Sequence, residues 1–134
     1  MDIRLSSYKR DHGLKELLSE NENEFWHTDD NLPHFIEISF IRRTYIDHIE
    51  LFLSYSLDDS YTPEKIEVKT GITKDSMESI ITLSFTEPDG PIHIDIGKDC
   101  FFIYLIILSN HQEGRDSHVR RLRVFSYDEI PCNM

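Results

Sequence analysis

Period-two alternation, repeated along most of the chain between polar turns, constrains the fold more than any other feature of this sequence. Ile36, Ile38 and Phe40 alternate with Glu37 and Ser39; Ile49, Leu51 and Leu53 alternate with Glu50 and Phe52; Ile66 and Val68 alternate with Lys65, Glu67 and Lys69. Successive side chains of a strand point to opposite faces, so each run predicts a strand with one buried face. Two more strands are read over 80–85 and 92–96, separated by a reversal at Asp89-Gly90. Residues 101–108 are apolar on both faces, which places them in the middle of the structure. A last strand turns Leu122 and Val124 inward and Arg121 and Arg123 outward. Arg42-Arg43 reads as a solvated turn between the first two strands. At least seven strands with almost no helix predict an all-β sandwich and exclude a parallel α/β sheet.

The one helix expected is short, over 12–19, where Leu14, Leu17 and Leu18 share a face. Trp26, the only tryptophan, is expected to plug the core. With 134 residues, one domain over 1–126 is the economical reading, followed by a tail over 127–134 without periodicity. A formal net charge of -11 argues against a nucleic-acid partner and would steer a basic peptide instead. Cys100 and Cys132 form neither a disulfide framework nor a zinc spacing. The first seven residues do not make a signal peptide, and 101–108 is far short of the roughly 20 residues that cross a bilayer. The expectation is an intracellular, soluble chain with no membrane partner.

Between the apolar run and the last strand lies Ser109-Asn-His-Gln-Glu-Gly-Arg-Asp-Ser-His118. It reads either as a solvated hairpin connection or as a recognition loop. Asn110, His111, Gln112, Arg115, Asp116 and His118 together offer donors, acceptors and both charges, the inventory needed to hold an extended peptide or a sugar. A second polar connection, Ser56-Leu-Asp-Asp-Ser-Tyr-Thr-Pro63, contributes Ser60, Tyr61 and Thr62, and loops of a sandwich collect at its ends. Asp58-Asp59 within it reads as a solvated pair, since a cation needs several convergent oxygens.

The chain carries no Gly-x-Ser-x-Gly, His-Glu-x-x-His, P-loop or Gly-x-Gly-x-x-Gly. His111, His118 and Asp116 are one step from a facial metal set, but Arg115 would place a guanidinium beside the ion. Cys100 sits among core residues, where its thiol stays protonated. No catalytic group, metal or cofactor is expected.

Asn110-His-Gln-Glu-Gly-Arg-Asp-Ser-His118 followed by Val-Arg-Arg-Leu-Arg-Val closely resembles the signature of the Doc domain, the family of subunit 10 of the anaphase-promoting complex. Leu5-Ser-Ser-Tyr-Lys, Phe25-Trp26 with Asp29, Leu32-Pro-His34, Ile38-Ser-Phe40, Ser60-Tyr-Thr-Pro63 and Glu87-Pro with Ile92-His93 follow in the family's order, covering about residues 4 to 126. The resemblance implies a jelly-roll β-sandwich of the galactose-binding type and a non-catalytic subunit of a ubiquitin ligase, found in nucleus and cytoplasm. Its partners would be the core subunits of that complex, a WD40-repeat coactivator and the destruction box of mitotic substrates, an extended peptide led by arginine with leucine three residues on. The residues implied for that contact are Ser60, Asn110, His111, Gln112, Arg115, Asp116 and His118. On this reading alanine at Asn110, His111 and Asp116 leaves the thermal midpoint nearly unchanged. Some of the set must brace the loop: Asp116 is expected to pair with Arg115 or Arg120, and Gly114 to supply a left-handed turn. The family's C-terminal Ile-Arg is not matched by Glu129-Ile-Pro-Cys-Asn-Met134, so either docking is expected to rest on the sandwich surface or the tail has been lost along with its receptor site. The competing reading is a carbohydrate-binding module on the same fold; the 109–118 loop has no aromatic to stack on a sugar, although Tyr61 is near.

Overall fold

The computed structural model describes residues 1–126; the tail expected over 127–134, with Cys132, lies outside the described residues. Two very long strands organise it: β3 (His34–Ser54) and β6 (Asp89–Asn110), paired antiparallel along most of their length. The sequence reading broke each into two strands. Both runs are in fact continuous, because the interruptions are bends within a ladder rather than turns between ladders. On β3 the four residues from Phe40 to Arg43 stand opposite the single Phe101 of β6, a wide bulge in which Ile41, Arg42 and Arg43 are exposed. Bulges of this kind bend the strand and raise its twist. A second irregularity lies between Ile46 and His48, facing Gly97, whose φ of 60° is a conformation that glycine adopts without a Cβ penalty.

The bends fold the long strand pair in half, and each half gathers its own neighbours. The first half of β3 pairs with β1 (Asp2–Leu5) and with the second half of β6, which pairs with β4 (Pro63–Gly71), which in turn pairs with β5 (Glu78–Ser84). The second half of β3 pairs with β8 (Arg121–Ser126) and with the first half of β6. Two antiparallel layers result, with Ile36, Ile38, Ile66, Val68, Ile103 and Leu105 of one facing Ile49, Leu51, Leu53, Ile94 and Leu122 of the other in a single core. This is the jelly-roll sandwich, and the stretch read as apolar on both faces is its central strand. A short ribbon of β2 (Trp26–His27) and β7 (His118–Val119) closes one end.

Smaller elements depart from the sequence reading. The helix is one turn, α1 (Leu14–Leu17), with the N–H of Gly13 just before it donating to Glu16 and only Leu17 fully buried; Leu18 is exposed, so the apolar face ends there. β1 and β2 were not foreseen, being too short for alternation to register. A second helical turn, α2 (Tyr55–Asp58), follows β3 directly. Cys100 is buried, and burial pushes its thiol up to about 11, consistent with an inert core residue. Trp26 is completely buried and its indole N–H donates to the Ser7 carbonyl at 2.8 Å, tying the N-terminal segment to the core. Replacing Trp26 with alanine is expected to destabilise the fold by about 3–5 kcal/mol, read as a lower denaturant midpoint.

Candidate functional site

Folding the β3–β6 pair in half brings both ends of both long strands to one pole. His34, Ser54, Asp89 and Asn110 therefore lie together, and so do the connections that follow Ser54 and Asn110. Ser54 Oγ donates to Asp89 at 2.8 Å, the Tyr55 N–H donates to the Pro88 carbonyl, and the Tyr55 ring lies 5.1 Å from that of His111. The connection after β3 comprises α2, a 3-10 turn over Asp59–Tyr61 and Thr62; the one after β6 comprises a 3-10 turn over His111–Glu113 and then residues 114–117. Ser60 and the Asn110 loop are neighbours.

Their mutual grip is built from buried polar groups. The His111 backbone N–H and its Nδ1 both donate to the Thr62 carbonyl at 2.9 Å, while Nε2 accepts the Glu87 N–H at 3.0 Å. That pattern requires the Nδ1–H tautomer and uses both ring nitrogens. Asn110 donates to the carbonyls of Gly114 and Asp116 and accepts from the Ser117 hydroxyl at 2.6 Å, closing the loop on itself. Asp116 accepts from the Thr28 hydroxyl, the Asp30 N–H and Arg115, and His34 Nε2 donates to the Arg115 carbonyl at 2.6 Å. Burial alone would raise the Asp116 carboxyl, but these donors outweigh it and hold it below the ordinary carboxylate value.

One ion cluster ties the pole to the rest of the fold. The Asp58 side chain is 1% exposed and accepts from Arg120 Nε and Nη2 at 3.0 and 2.7 Å and from His118 Nδ1 at 2.9 Å. Arg120 continues to the Glu22 carbonyl and lies over the Phe25 ring. The His118 ring is held between Phe25 and Tyr61, each with its centroid 4.3 Å away. Burial works to raise the Asp58 carboxyl, and the bonds from His118 and Arg120 lower it further than burial lifts it.

Set against the residues implied by the sequence, the structure brings all seven to this pole and divides them. Asn110, His111 and Asp116 are buried and saturated with internal bonds; His118 is largely covered. Gln112 and Arg115 are exposed and Ser60 is half-buried. The expectation that alanine at the three buried positions leaves stability untouched does not survive this geometry, since each would strand buried partners. Gly114 is also corrected: its φ is -63°, and the left-handed residues are Gln112 and Glu113. Glycine is needed at 114 because a Cβ there would collide with the Ser60 carbonyl oxygen. Asp116 pairs with Arg115, whereas Arg120 belongs to Asp58. Asp58, read as solvated, is the buried hub. Its signal was available, because Arg120 has the same parity as inward Leu122 and Val124, and an arginine on a core face needs a carboxylate.

The accessible surface is polar and mostly acidic. Asp29, Asp30, Asp59, Glu64, Glu87 and Glu113 are exposed around the mouth, with Lys9, Lys65 and Arg115 as exposed cations near them. A groove of about 390 Å³ runs beside the loop between Leu32, Glu64, Gln112 and Glu113. Asp59, Glu87, Gln112 and Glu113 all hold positive φ, so backbone strain gathers here, as it does at many functional sites. Of His111, His118 and Asp116, His111 has no free ring nitrogen and both Asp116 oxygens accept, while His118 turns Nδ1 to Asp58 and leaves its buried Nε2 without a hydrogen bond.

The family model described as anaphase-promoting complex, subunit 10 (APC10), matches residues 2–132. This chain belongs to that family. Among its relatives, anaphase-promoting complex subunit 10 of Schizosaccharomyces pombe is 32% identical, over 94% of this chain and 75% of that protein. The human subunit 10 is 34% identical over 91% and 69%, and subunit DOC1 of Saccharomyces cerevisiae is 29% identical over 96% and 53%. Solved structures give the fold: the family 32 CBM from C. perfringens NanJ in complex with galactose has a TM-score of 0.76 at 15% identity, covering 92% of this chain and 91% of that one. The C-terminal domain of a chitobiase from Bacteroides fragilis has a TM-score of 0.70 at 24% identity, covering 93% of both. The sandwich is thus galactose-binding-like.

Asp58→Asn is expected to cost about 3–5 kcal/mol, because the Arg120 charge stays buried without its counterion. Asn110→Ala should lower stability by about 1–3 kcal/mol, whereas Gln112→Ala should leave it within about 0.5; differential scanning calorimetry separates the two. A carboxylate whose folded value is depressed stabilises the fold above its ordinary value near about 4, and that contribution is lost as pH falls through the folded value. Stability measured by denaturation should therefore fall below about pH 4 more steeply in the wild type than in Asp58→Asn.

Proposed function

We propose that this chain is a non-catalytic substrate receptor of the anaphase-promoting complex, which holds the destruction box of mitotic substrates together with a WD40-repeat coactivator. The observation that carries this reading is the division of the loop pole into a buried, self-satisfied scaffold and an accessible set, exposed Gln112 and Arg115 with half-buried Ser60, within an acidic rim. A surface whose loops are already fixed binds an extended peptide without a large ordering cost. Backbone and polar side chains of the peptide find donors and acceptors in Gln112, Arg115 and Ser60, and the acidic rim attracts a basic peptide. Such a contact is weak by itself. Joined to a second contact on the same assembly, it raises effective concentration and slows release by about 10²-fold or more, so more ubiquitins are added per encounter. The same reading puts the protein in nucleus and cytoplasm, where the ligase acts. The carbohydrate reading has only the shared fold to support it.

The test uses the assembled ligase with coactivator and a destruction-box substrate. Gln112→Ala combined with Arg115→Ala is expected to shorten the ubiquitin chains formed in one encounter, with the melting temperature of the subunit unchanged. Chains of wild-type length from that folded double variant would overturn the proposal.

A further inference from the structure

At the loop pole one half-buried side chain, outside the set implied by the sequence, ties together all three connections that meet there. Tyr55 opens α2, directly after β3. Its backbone N–H donates to the Pro88 carbonyl of the β5–β6 turn at 2.8 Å, and its carbonyl accepts the Asp59 N–H as the helical turn closes. Its ring lies 5.1 Å from that of His111, which is itself fixed by main-chain bonds at both ring nitrogens. Backbone and ring are thus both held, so the phenolic hydroxyl has a set position. Gln112 uses it: Nε2 donates to the Tyr55 hydroxyl at 2.8 Å.

What this bond orders is an exposed side chain on a strained turn. Gln112 has φ 54°, a conformation that glycine adopts without a Cβ penalty and that few other residues visit. A free glutamine there would sample many rotamers, and immobilising such a side chain on binding weakens affinity. The Tyr55 hydroxyl removes that freedom beforehand. It also divides the groups of the amide, which offers one acceptor oxygen and two N–H donors. With one N–H given to Tyr55, Oε1 and the second N–H remain, and an extended chain offers the complementary main-chain N–H and carbonyl. Such a contact reads main chain and tolerates variation in the peptide's side chains. A solvent-exposed bond of this kind contributes little to stability, so its consequence lies in binding.

We propose that Tyr55 is a positioning residue for peptide capture: it acts through Gln112, holding that amide so that its free oxygen and N–H meet the main chain of the bound peptide. The inference rests on the capture reading above and deepens it, since it assigns the reading of peptide backbone to one preset side chain and names the residue that presets it.

The experiment measures, by single-molecule fluorescence, how long a destruction-box substrate stays on the assembled ligase with coactivator when the chain carries Tyr55→Phe, Gln112→Ala or both. Tyr55→Phe keeps the ring against His111 and the bond to Pro88 and removes only the hydroxyl, so the melting temperature is expected to be unchanged. Release should be about 2- to 10-fold faster, the cost of ordering one such side chain at binding. Gln112→Ala should match it, and the double variant should be no faster than either. In nuclear magnetic resonance spectra of the chain, Tyr55→Phe should move the Gln112 side-chain NH2 signals to those of a free glutamine while the backbone signals of Asn110 and Ser117 hold their positions, a pattern that a loosened loop would not give. Wild-type release from either single variant overturns this inference and leaves the capture reading standing, as does a Tyr55→Phe effect that adds to that of Gln112→Ala. Wild-type release from Gln112→Ala combined with Arg115→Ala overturns both.

Discussion

The arrangement of the loop pole depends on one buried carboxylate. Asp58 leaves the end of a short helical turn and reaches His118 and Arg120, which lie sixty residues further along. Removing these charges from water is costly and is offset only because every oxygen is bonded and Arg120 is also held by Phe25 and the Glu22 carbonyl. The cluster therefore draws three segments together: the β7–β8 junction, the N-terminal stretch before Trp26, and the connection after β3, whose Ser60 turn is also held by the Tyr61–His118 stack. Such a cluster has few alternative ways to satisfy its charges, which favours a single arrangement of loops over an ensemble.

Above that cluster, His111 and Asn110 translate strand geometry into loop geometry. Asn110 ends β6 and His111 follows it, and both spend their side chains on protein groups, mostly backbone, rather than on solvent. The mouth is consequently defined by main chain that cannot readily move, decorated by a few side chains that can. Gln112, although exposed, is itself steadied by donation to the Tyr55 hydroxyl at 2.8 Å. The strained φ values at Asp59, Gln112 and Glu113 persist because the buried bonds on either side over-determine them.

Much of this was legible in the sequence, and the misses share a cause. Alternation located the core faces of β3, β4 and β6, because burial on one side leaves a period-two trace whatever the connections do. The same trace cannot tell a turn from a bulge. Arg42-Arg43 reads identically in both, so β3 and β6 were split. Loop residues were located by their chemistry, and the family signature placed them correctly at one pole. Their division into braces and accessible groups was not legible, since Asn110 and Gln112 are equally polar on paper and differ only in what surrounds them. Gly114 shows the same limit: a glycine required by the approach of the Ser60 backbone looks like a glycine required by φ.

The doubled-over strand pair has a practical corollary at the other end of the molecule. The ends of β3 and β6 that feed the mouth lie at one pole, while the bulge of β3 lies at the other, with Ile41 93% exposed at its tip beside Met1 and Ser126. A fluorophore or affinity handle placed at that tip reports from the far side of the sandwich. The bulge supplies a ready-made handle for orienting the molecule on a surface with its mouth facing outward.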